Sequence, residues 1–68
     1  MVQMTLKAAR VNAGLTQKEA ANKLKVSNKT LGSWEKGDSM PNSKYIEPIC
    51  NLYRVSYDNI IFLSKVSL

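Results

Sequence analysis

A helix-start signal recurs four times along this chain of 68 residues. In each copy an apolar residue precedes a Ser or Thr, and a second apolar residue follows four positions after the hydroxyl. The hydroxyl oxygen can accept a hydrogen bond from a free N–H of the first helical turn, and the apolar pair can pack at the helix entrance. The copies are Met4-Thr5 with Ala9, Leu15-Thr16 with Ala20, Val26-Ser27 with Leu31, and Val55-Ser56 with Ile60. Four such starts in so short a chain predict an all-α fold.

The apolar spacing after these starts predicts five helices in a single domain over residues 1–68. The helices cover residues 6–13, 17–24, 28–36, about 43–53, and 57 to about 61. Gly14 and Gly37 are expected to end the first and third helices. Pro48 conflicts with the fourth because proline lacks an N–H and crowds the preceding turn, so we expect a kink or a shortened helix. The core of the domain is therefore placed at about 4–61, and residues 62–68 form an apolar tail.

The positive charge is concentrated in the first two-thirds of the sequence. The chain carries 10 Lys and Arg against 5 Asp and Glu, a net charge of +5. Residues 1–44 contain eight of the basic and three of the acidic residues and therefore hold the whole excess, and residues 45–68 are neutral. This asymmetry favours a surface that faces a polyanion such as nucleic acid. A basic surface that serves only solubility is the alternative.

Composition excludes several classes of protein. The sequence has no His and a single Cys, so its own residues cannot form a disulfide, a zinc site or a His-based catalytic relay. It has neither an acid pair at useful helical spacing nor a Gly-rich phosphate loop. We therefore expect no enzymatic activity, metal, cofactor or small-molecule ligand. Cys50 is interpreted as a small buried apolar residue.

No membrane or export signal is visible. The longest run of aliphatic and aromatic residues, 60–63, is far shorter than the ~20 residues that a membrane span needs. The N-terminus lacks the apolar stretch of a signal peptide. We expect a cytoplasmic protein with no membrane partner.

The second and third predicted helices are separated only by residues 25–27. Two short helices joined by so tight a turn are typical of a helix-turn-helix. The small side chains of Ala20 and Ala21 would let the two helices cross closely. Leu31 and Trp34 lie one turn apart, so they would anchor the third helix to the core, which makes the tryptophan a core residue rather than a base-stacking platform.

The run LTQKEAANKLKVSNKTLGSWEKGDSMPN, residues 15–42, resembles the helix-turn-helix of the phage repressor and Cro family, also called XRE-type. The similarity extends to KAARVNAGLTQ before it and NLYRVSYDNI after it, and covers about residues 4–61. The resemblance implies a compact, five-helix, lambda-repressor-like domain. It also implies binding to double-stranded operator DNA, usually as a dimer, with the third helix in the major groove.

The outward face of the third helix is what remains once Leu31 and Trp34 turn inward. In the resembled family this face meets the bases, and Asn and Lys are suited to adenine and guanine respectively. A close approach to DNA would explain a glycine inside this helix, where it costs about 1 kcal/mol. Ordinary solvated side chains are the alternative. The predicted base-reading residues are Asn28, Lys29, Gly32 and Ser33.

A second set of residues is predicted to contact DNA phosphates, which positions the protein without reading sequence. Gln17 is assigned here by its place in the resembled family, at the start of the second helix. A solubilising surface is the alternative for the lysines. The predicted phosphate contacts are Gln17, Lys18, Lys36, Asn42, Ser43 and Lys44.

The resemblance also implies a structural ion pair between Arg10 and Glu35, which would hold the first helix against the third. Its role would be alignment, because desolvation opposes the attraction between buried charges. The chain departs from the family at Lys25 and Arg54, where the family usually has Gly. A left-handed backbone at a non-glycine residue costs about 1 kcal/mol, which the fold can tolerate.

These observations predict a sequence-specific DNA-binding transcriptional regulator, most simply a prophage-type repressor or Cro-like protein on a pseudo-palindromic operator. The protein is expected to be a homodimer at least on DNA. The predicted dimer contacts lie in the apolar tail, although the tail could instead pack on its own core. The predicted dimer contacts are Phe62, Leu63, Val66 and Leu68.

A protein-binding module on the same scaffold, such as an antitoxin or an antirepressor-type partner, is the alternative function. Such a module would need an apolar outward face on the third helix. Asn28, Lys29 and Ser33 are polar or basic, so the sequence disfavours this as the main role.

Overall fold

The computed structural model describes residues 3–62, and most of this part of the chain is helical. Four α-helices follow one another, and a short 3-10 helix comes after the fourth. The elements are β1 (Met4–Thr5), α1 (Leu6–Asn12), α2 (Gln17–Leu24), α3 (Asn28–Lys36), α4 (Ser43–Tyr53), the 3-10 helix (Tyr57–Asn59) and β2 (Ile60–Ile61). No helix within residues 3–62 is long and apolar enough to cross a membrane.

Three of the four predicted helix starts carry the expected capping hydrogen bond. At each of them the hydroxyl oxygen accepts from the backbone N–H three residues later. The second start is a complete capping box, because Glu19 Oε1 also accepts from the Thr16 N–H at 2.9 Å. This contact lowers the pKa of the Glu19 carboxyl. The capped pairs are Thr5 with Ala8 at 3.1 Å, Thr16 with Glu19 at 3.1 Å, and Ser27 with Thr30 at 3.0 Å.

The fourth start does not lead to the predicted α-helix. The Ser56 side chain makes no capping hydrogen bond, and the chain forms only the 3-10 helix before it becomes extended. Ile60 then pairs with Met4 in a parallel, two-stranded sheet, and Ile61 pairs with Thr5. Two consecutive β-branched residues favour this extended backbone. The prediction of five α-helices is therefore wrong for residues 57–61.

Pro48 neither breaks nor shortens α4, which extends to Tyr53 as its apolar spacing predicts. The proline lies on the exposed side of the helix. The helix begins at Ser43, and Asn42 rather than a hydroxyl caps it: Asn42 Oδ1 accepts from the Lys44 N–H at 3.3 Å. Of the two predicted effects of Pro48, a kink or a shortened helix, the shortened helix is wrong.

Two non-glycine residues adopt the left-handed conformation that ends a helix. Lys25 has φ 61° after α2, and Arg54 has φ 57° after α4. Gly14 and Gly37 adopt the same region, at φ 77° and 85°. The two cations lie at helix C-termini, where the helix dipole favours positive charge. Lys25 and Arg54 therefore adopt the left-handed conformation that glycine would adopt at these turns.

The core lies where α1, α2, α3 and α4 converge. Ala20 and Leu31 are fully buried, which lets α2 and α3 cross closely. Trp34 is also buried and its ring lies 5.2 Å from that of Tyr45, so it belongs to the core, as predicted. Cys50 is only partly buried against this core, and that burial raises the pKa of its thiol. The buried apolar residues are Leu6, Ala9, Ala20, Ala21, Leu24, Leu31, Trp34, Ile49, Tyr53 and Ile60.

The Tyr53 hydroxyl is buried and has no hydrogen-bond partner among the described residues. An unpaired buried polar group costs about 1–3 kcal/mol. Tyr53→Phe should therefore raise the free energy of unfolding by about 1 kcal/mol, measured by urea denaturation at neutral pH. Tyr57→Phe removes a hydroxyl from a ring that is 59% exposed and should change stability little. A loss of stability in Tyr53→Phe would contradict this account of the core.

The same variant should resist alkaline unfolding. Burial, together with the nearby Glu35 carboxylate, raises the pKa of Tyr53 to about 12, whereas an unfolded tyrosine titrates near pH 10. The folded chain thus holds this proton more tightly, and stability that is present below about pH 10 is lost as the pH approaches about 12. The stability gained by Tyr53→Phe should therefore increase between these two pH values. A stability difference that stays constant with pH would show that ionisation of Tyr53 is not its cause.

Candidate nucleic-acid interface

The turn between α2 and α3 holds the two helices in a fixed relation. The Lys25 N–H donates to the Asn22 carbonyl at 3.2 Å, and the Val26 N–H donates to the Ala21 carbonyl at 3.0 Å. Val26 is partly buried and packs against the core. Ser27 then caps α3. The tight turn that the spacing predicts is therefore built from backbone hydrogen bonds and one apolar side chain.

The outward face of α3 lines a shallow groove, here called the recognition groove. Asn28, Lys29 and Lys36 are exposed, and Gly32 and Ser33 are partly exposed. Side chains from α2 and from the loop after α3 complete the groove, and their positions were not evident from helix periodicity alone. The lining residues are Gln17, Asn28, Lys29, Gly32, Ser33, Lys36 and Asp38. The four predicted base-reading residues thus lie together on one accessible surface.

Gln17 lies across the middle of α3. Its Nε2 donates to Glu35 Oε1 at 3.1 Å. A Cβ atom at Gly32 would lie 3.5 Å from that same Nε2, in ordinary van der Waals contact. The glycine therefore forms the floor beneath the Gln17 carboxamide, a contact that sequence reasoning missed. Nothing local in the sequence signals it, because the two residues belong to different helices.

Arg10 and Glu35 form a buried ion pair. Arg10 Nε lies 2.7 Å from Glu35 Oε2, and Nη2 donates to Oε1 at 3.3 Å. Their side chains are only 9% and 4% exposed. Arg10 Nη1 also donates to the Leu15 carbonyl at 2.9 Å. The Glu35 carboxylate thus links α1, α2 and α3, and Arg10 also holds the turn after α1.

Two of the predicted phosphate contacts, Gln17 and Lys36, line the recognition groove itself. Lys18 lies in a neighbouring depression that also includes Asn28. Asn42, Ser43 and Lys44 lie at the N-terminus of α4, which begins at Ser43 and is capped by Asn42. Asn42 is committed to capping through its side-chain oxygen. Lys44 Nζ lies 5.3 Å from the Tyr45 ring centroid, a cation–π contact that positions its ammonium.

Of the predicted dimer contacts, only Phe62 falls within the described residues. Its ring is partly buried, and its centroid lies 6.0 Å from that of Tyr57. Tyr57 is 59% exposed and Ile61 is 41% exposed, so apolar surface does reach solvent at this end of the chain. Leu63, Val66 and Leu68 lie outside the described residues.

Comparison with known proteins gives a family and a relative. The sequence profile of the helix-turn-helix family matches residues 6–60. The HTH-type transcriptional regulator ImmR of Bacillus subtilis (strain 168) is 42% identical over 62 residues, which are 91% of this chain and 49% of the relative. The chain thus spans about half the length of this curated relative. No solved structure gives a significant match.

The buried ion pair generates a stability prediction. Arg10→Met or Glu35→Leu alone leaves one charge buried without its partner, which should cost about 3–5 kcal/mol. The double variant removes both charges and should be more stable than either single variant. Thermal unfolding followed by circular dichroism would measure all three. Additive losses in the double variant would show that the two side chains stabilise the fold independently.

Proposed function

This chain belongs to the XRE-type helix-turn-helix family, and on that premise we propose that it is a sequence-specific DNA-binding transcriptional regulator. The observation that carries the proposal is the recognition groove. The inner face of α3 is locked by Leu31 and Trp34 in the core and by Glu35 in the ion pair. Its outer face presents hydrogen-bonding and cationic groups, the kinds of side chain that can contact base edges in a major groove. Family and relative both point to a regulator rather than an enzyme.

In the proposed complex, α3 enters the major groove with its N-terminal end nearest the bases. Asn28 can pair with adenine through its carboxamide, and Lys29 can donate to guanine N7 and O6. Ser33, one turn further along, can donate or accept. Gly32 between them removes the side chain that would otherwise stand between the helix backbone and the DNA.

Phosphate contacts on both sides of α3 would fix its register on the duplex. Gln17 retains a second N–H on Nε2 besides the one that it donates to Glu35, and that N–H can donate to a phosphate oxygen. Lys18, Lys36 and Lys44 would add positive charge along the two strands. Asn42 and Ser43 would bring the start of α4 to the DNA backbone. The free N–H groups of a helix N-terminus favour an anion such as a phosphate there.

The finer proposal is a prophage-type repressor or Cro-like regulator that binds a pseudo-palindromic operator as a homodimer. The exposed Tyr57 and Ile61 lie in the part of the sequence that carries no net charge, so two copies could meet there with little repulsion. The predicted dimer contacts Phe62, Leu63, Val66 and Leu68 follow these residues in the sequence.

The alternative class, a module that binds only protein, would use the outward face of α3 for an apolar partner. The described residues of that face are polar, basic or glycine. A partner protein that docked there would have to desolvate Lys29 and Lys36, which is costly without paired charges. The groove therefore favours DNA.

Selection of bound sites from random duplex DNA tests the proposal. We expect a pseudo-palindrome with half-sites about one helical turn apart, and an affinity for it that falls steeply with salt concentration. A single unrepeated site would contradict the dimer. Failure to enrich any sequence would contradict the proposed function.

Binding of protein variants to the selected site should distinguish the base-reading residues from those that contact phosphates. Asn28→Ala and Lys29→Ala should each relax the preference at particular base pairs, by about 1–3 kcal/mol of discrimination. Lys44→Ala should weaken all sequences alike and reduce the salt slope by about one unit. Lys23→Ala, at an exposed lysine of α2 that is not among the predicted DNA contacts, is the matched control. Identical effects of the first three variants would contradict these assignments.

Gly32→Ala should separate stability from binding. The new Cβ would make only ordinary contact with Gln17, and alanine in a helix interior is favoured over glycine by about 1 kcal/mol. We therefore expect a higher melting temperature together with weaker binding to the selected site. Unchanged or tighter binding would show that DNA does not approach the helix at this position.

A further inference from the structure

The Gln17 side chain connects the buried ion pair to the recognition groove. Its Nε2 donates to Glu35 Oε1 at 3.1 Å, and the same nitrogen lies 3.5 Å from the position of a Cβ atom built at Gly32. A buried carboxylate thus holds Gln17 on its inner side, while Gln17 also lines the recognition groove. A side chain placed in this way can carry an effect of the ion pair to bound DNA.

The Glu35 carboxylate determines which end of the Gln17 carboxamide faces inward. A carboxylate only accepts hydrogen bonds, so it must face the amide nitrogen and not the amide oxygen. Arg10 fixes the carboxylate itself, because it donates to Oε2 at 2.7 Å and to Oε1 at 3.3 Å. One N–H of Gln17 Nε2 is therefore committed to Glu35, and the second N–H is directed away from it.

We propose that Glu35 is a positioning residue for DNA binding, which holds the Gln17 carboxamide with its second N–H available to a phosphate oxygen. The inference rests on the proposed function, since it requires Gln17 to contact a DNA phosphate. Anionic phosphate oxygens accept hydrogen bonds, so a carboxamide turned the other way would present its own oxygen and lose this contact. The buried ion pair would thus contribute to affinity although it does not touch DNA.

Glu35→Gln tests the proposal because it should turn the Gln17 carboxamide over. Arg10 offers only donors, and its 2.7 Å bond from Nε goes to the Oε2 position, so the new amide should keep its oxygen there. The nitrogen of the new amide then lies at the Oε1 position and favours the oxygen of Gln17. Affinity for the selected site should fall by on the order of ten-fold, as expected for the loss of a hydrogen bond to a charged group.

The direction of this change distinguishes positioning from charge. Glu35→Gln removes a negative charge, which by electrostatics alone raises the affinity for every DNA sequence. Asp58→Asn makes the same change of charge at an exposed residue of the 3-10 helix that is not among the predicted DNA contacts, and it is the matched control. The control should bind as tightly as the wild type or slightly more tightly. A gain of affinity in Glu35→Gln would overturn the inference.

A double-mutant cycle with Gln17→Ala distinguishes positioning from a general disturbance of α3. If Glu35 acts through Gln17, Glu35→Gln should cause no further loss of affinity once the carboxamide is absent. A similar loss in the Gln17→Ala background would show that Glu35 affects binding by another route, and would overturn the inference. An unchanged affinity in Gln17→Ala alone, or altered base preferences in Glu35→Gln, would overturn it too.

A measurement on the wild-type protein keeps the inference testable if circular dichroism shows that Glu35→Gln is unfolded. The two Nε2 protons of Gln17 give separate signals in the ¹⁵N-labelled protein, and their absence from the spectrum of Gln17→Ala identifies them. When the selected duplex is added, we expect the proton bound to Glu35 to shift little and the other to shift strongly. Gln3, whose Nε2 donates to the Asp58 carbonyl at 3.2 Å, is the internal control. Equal shifts of both Gln17 protons, or none, would overturn the inference.

The wild-type selection separates this inference from the function on which it rests. If the wild-type protein enriches no site, the proposed function fails and the inference fails with it. If the wild-type protein enriches a site and Glu35→Gln binds that site as tightly as the wild type, only the inference fails.

Discussion

The Glu35 carboxylate is the contact on which the geometry of this domain depends. Its two oxygens accept from Arg10 of α1 and from Gln17 of α2, while its own backbone belongs to α3. Desolvation offsets much of the attraction between buried charges, so such a pair adds little net stability. Its main effect is on the orientation of the helices that it joins. Any rotation of α3 about its axis would break these hydrogen bonds and leave a charge buried. The pair therefore specifies which side of α3 faces the core.

Once that side is specified, the outward face follows from helix geometry. Leu31 and Trp34 are buried on the inner side, and residues offset from them around the helix, such as Lys29 and Lys36, must face solvent. Gln17 crosses from α2 onto this face at Gly32. One wall of the recognition groove is thus Gln17, whose carboxamide is held by Glu35 of the ion pair. The same few residues therefore stabilise the fold and position the binding surface.

The local signals in the sequence were sufficient for most of the fold. Capping bonds join residues three positions apart, so Thr5, Thr16 and Ser27 could be assigned without tertiary information. Ser56 carries the same pattern, yet the chain beyond it is extended because Ile60 pairs with Met4, which lies far away in sequence. The packing of Gln17 over Gly32 and the place of Asp38 in the groove depend in the same way on how elements come together. A single sequence does not encode such contacts in any local pattern.

In the proposed function, α3 and its flanking residues form the DNA-binding surface. The most direct measurement is a titration of the ¹⁵N-labelled protein with its selected duplex, followed by amide chemical shifts. We expect the largest changes at Gln17, Asn28, Lys29, Gly32 and Ser33, with further changes at the start of α4. Changes confined to α1 and the 3-10 helix, with the amides of α3 unaffected, would contradict it.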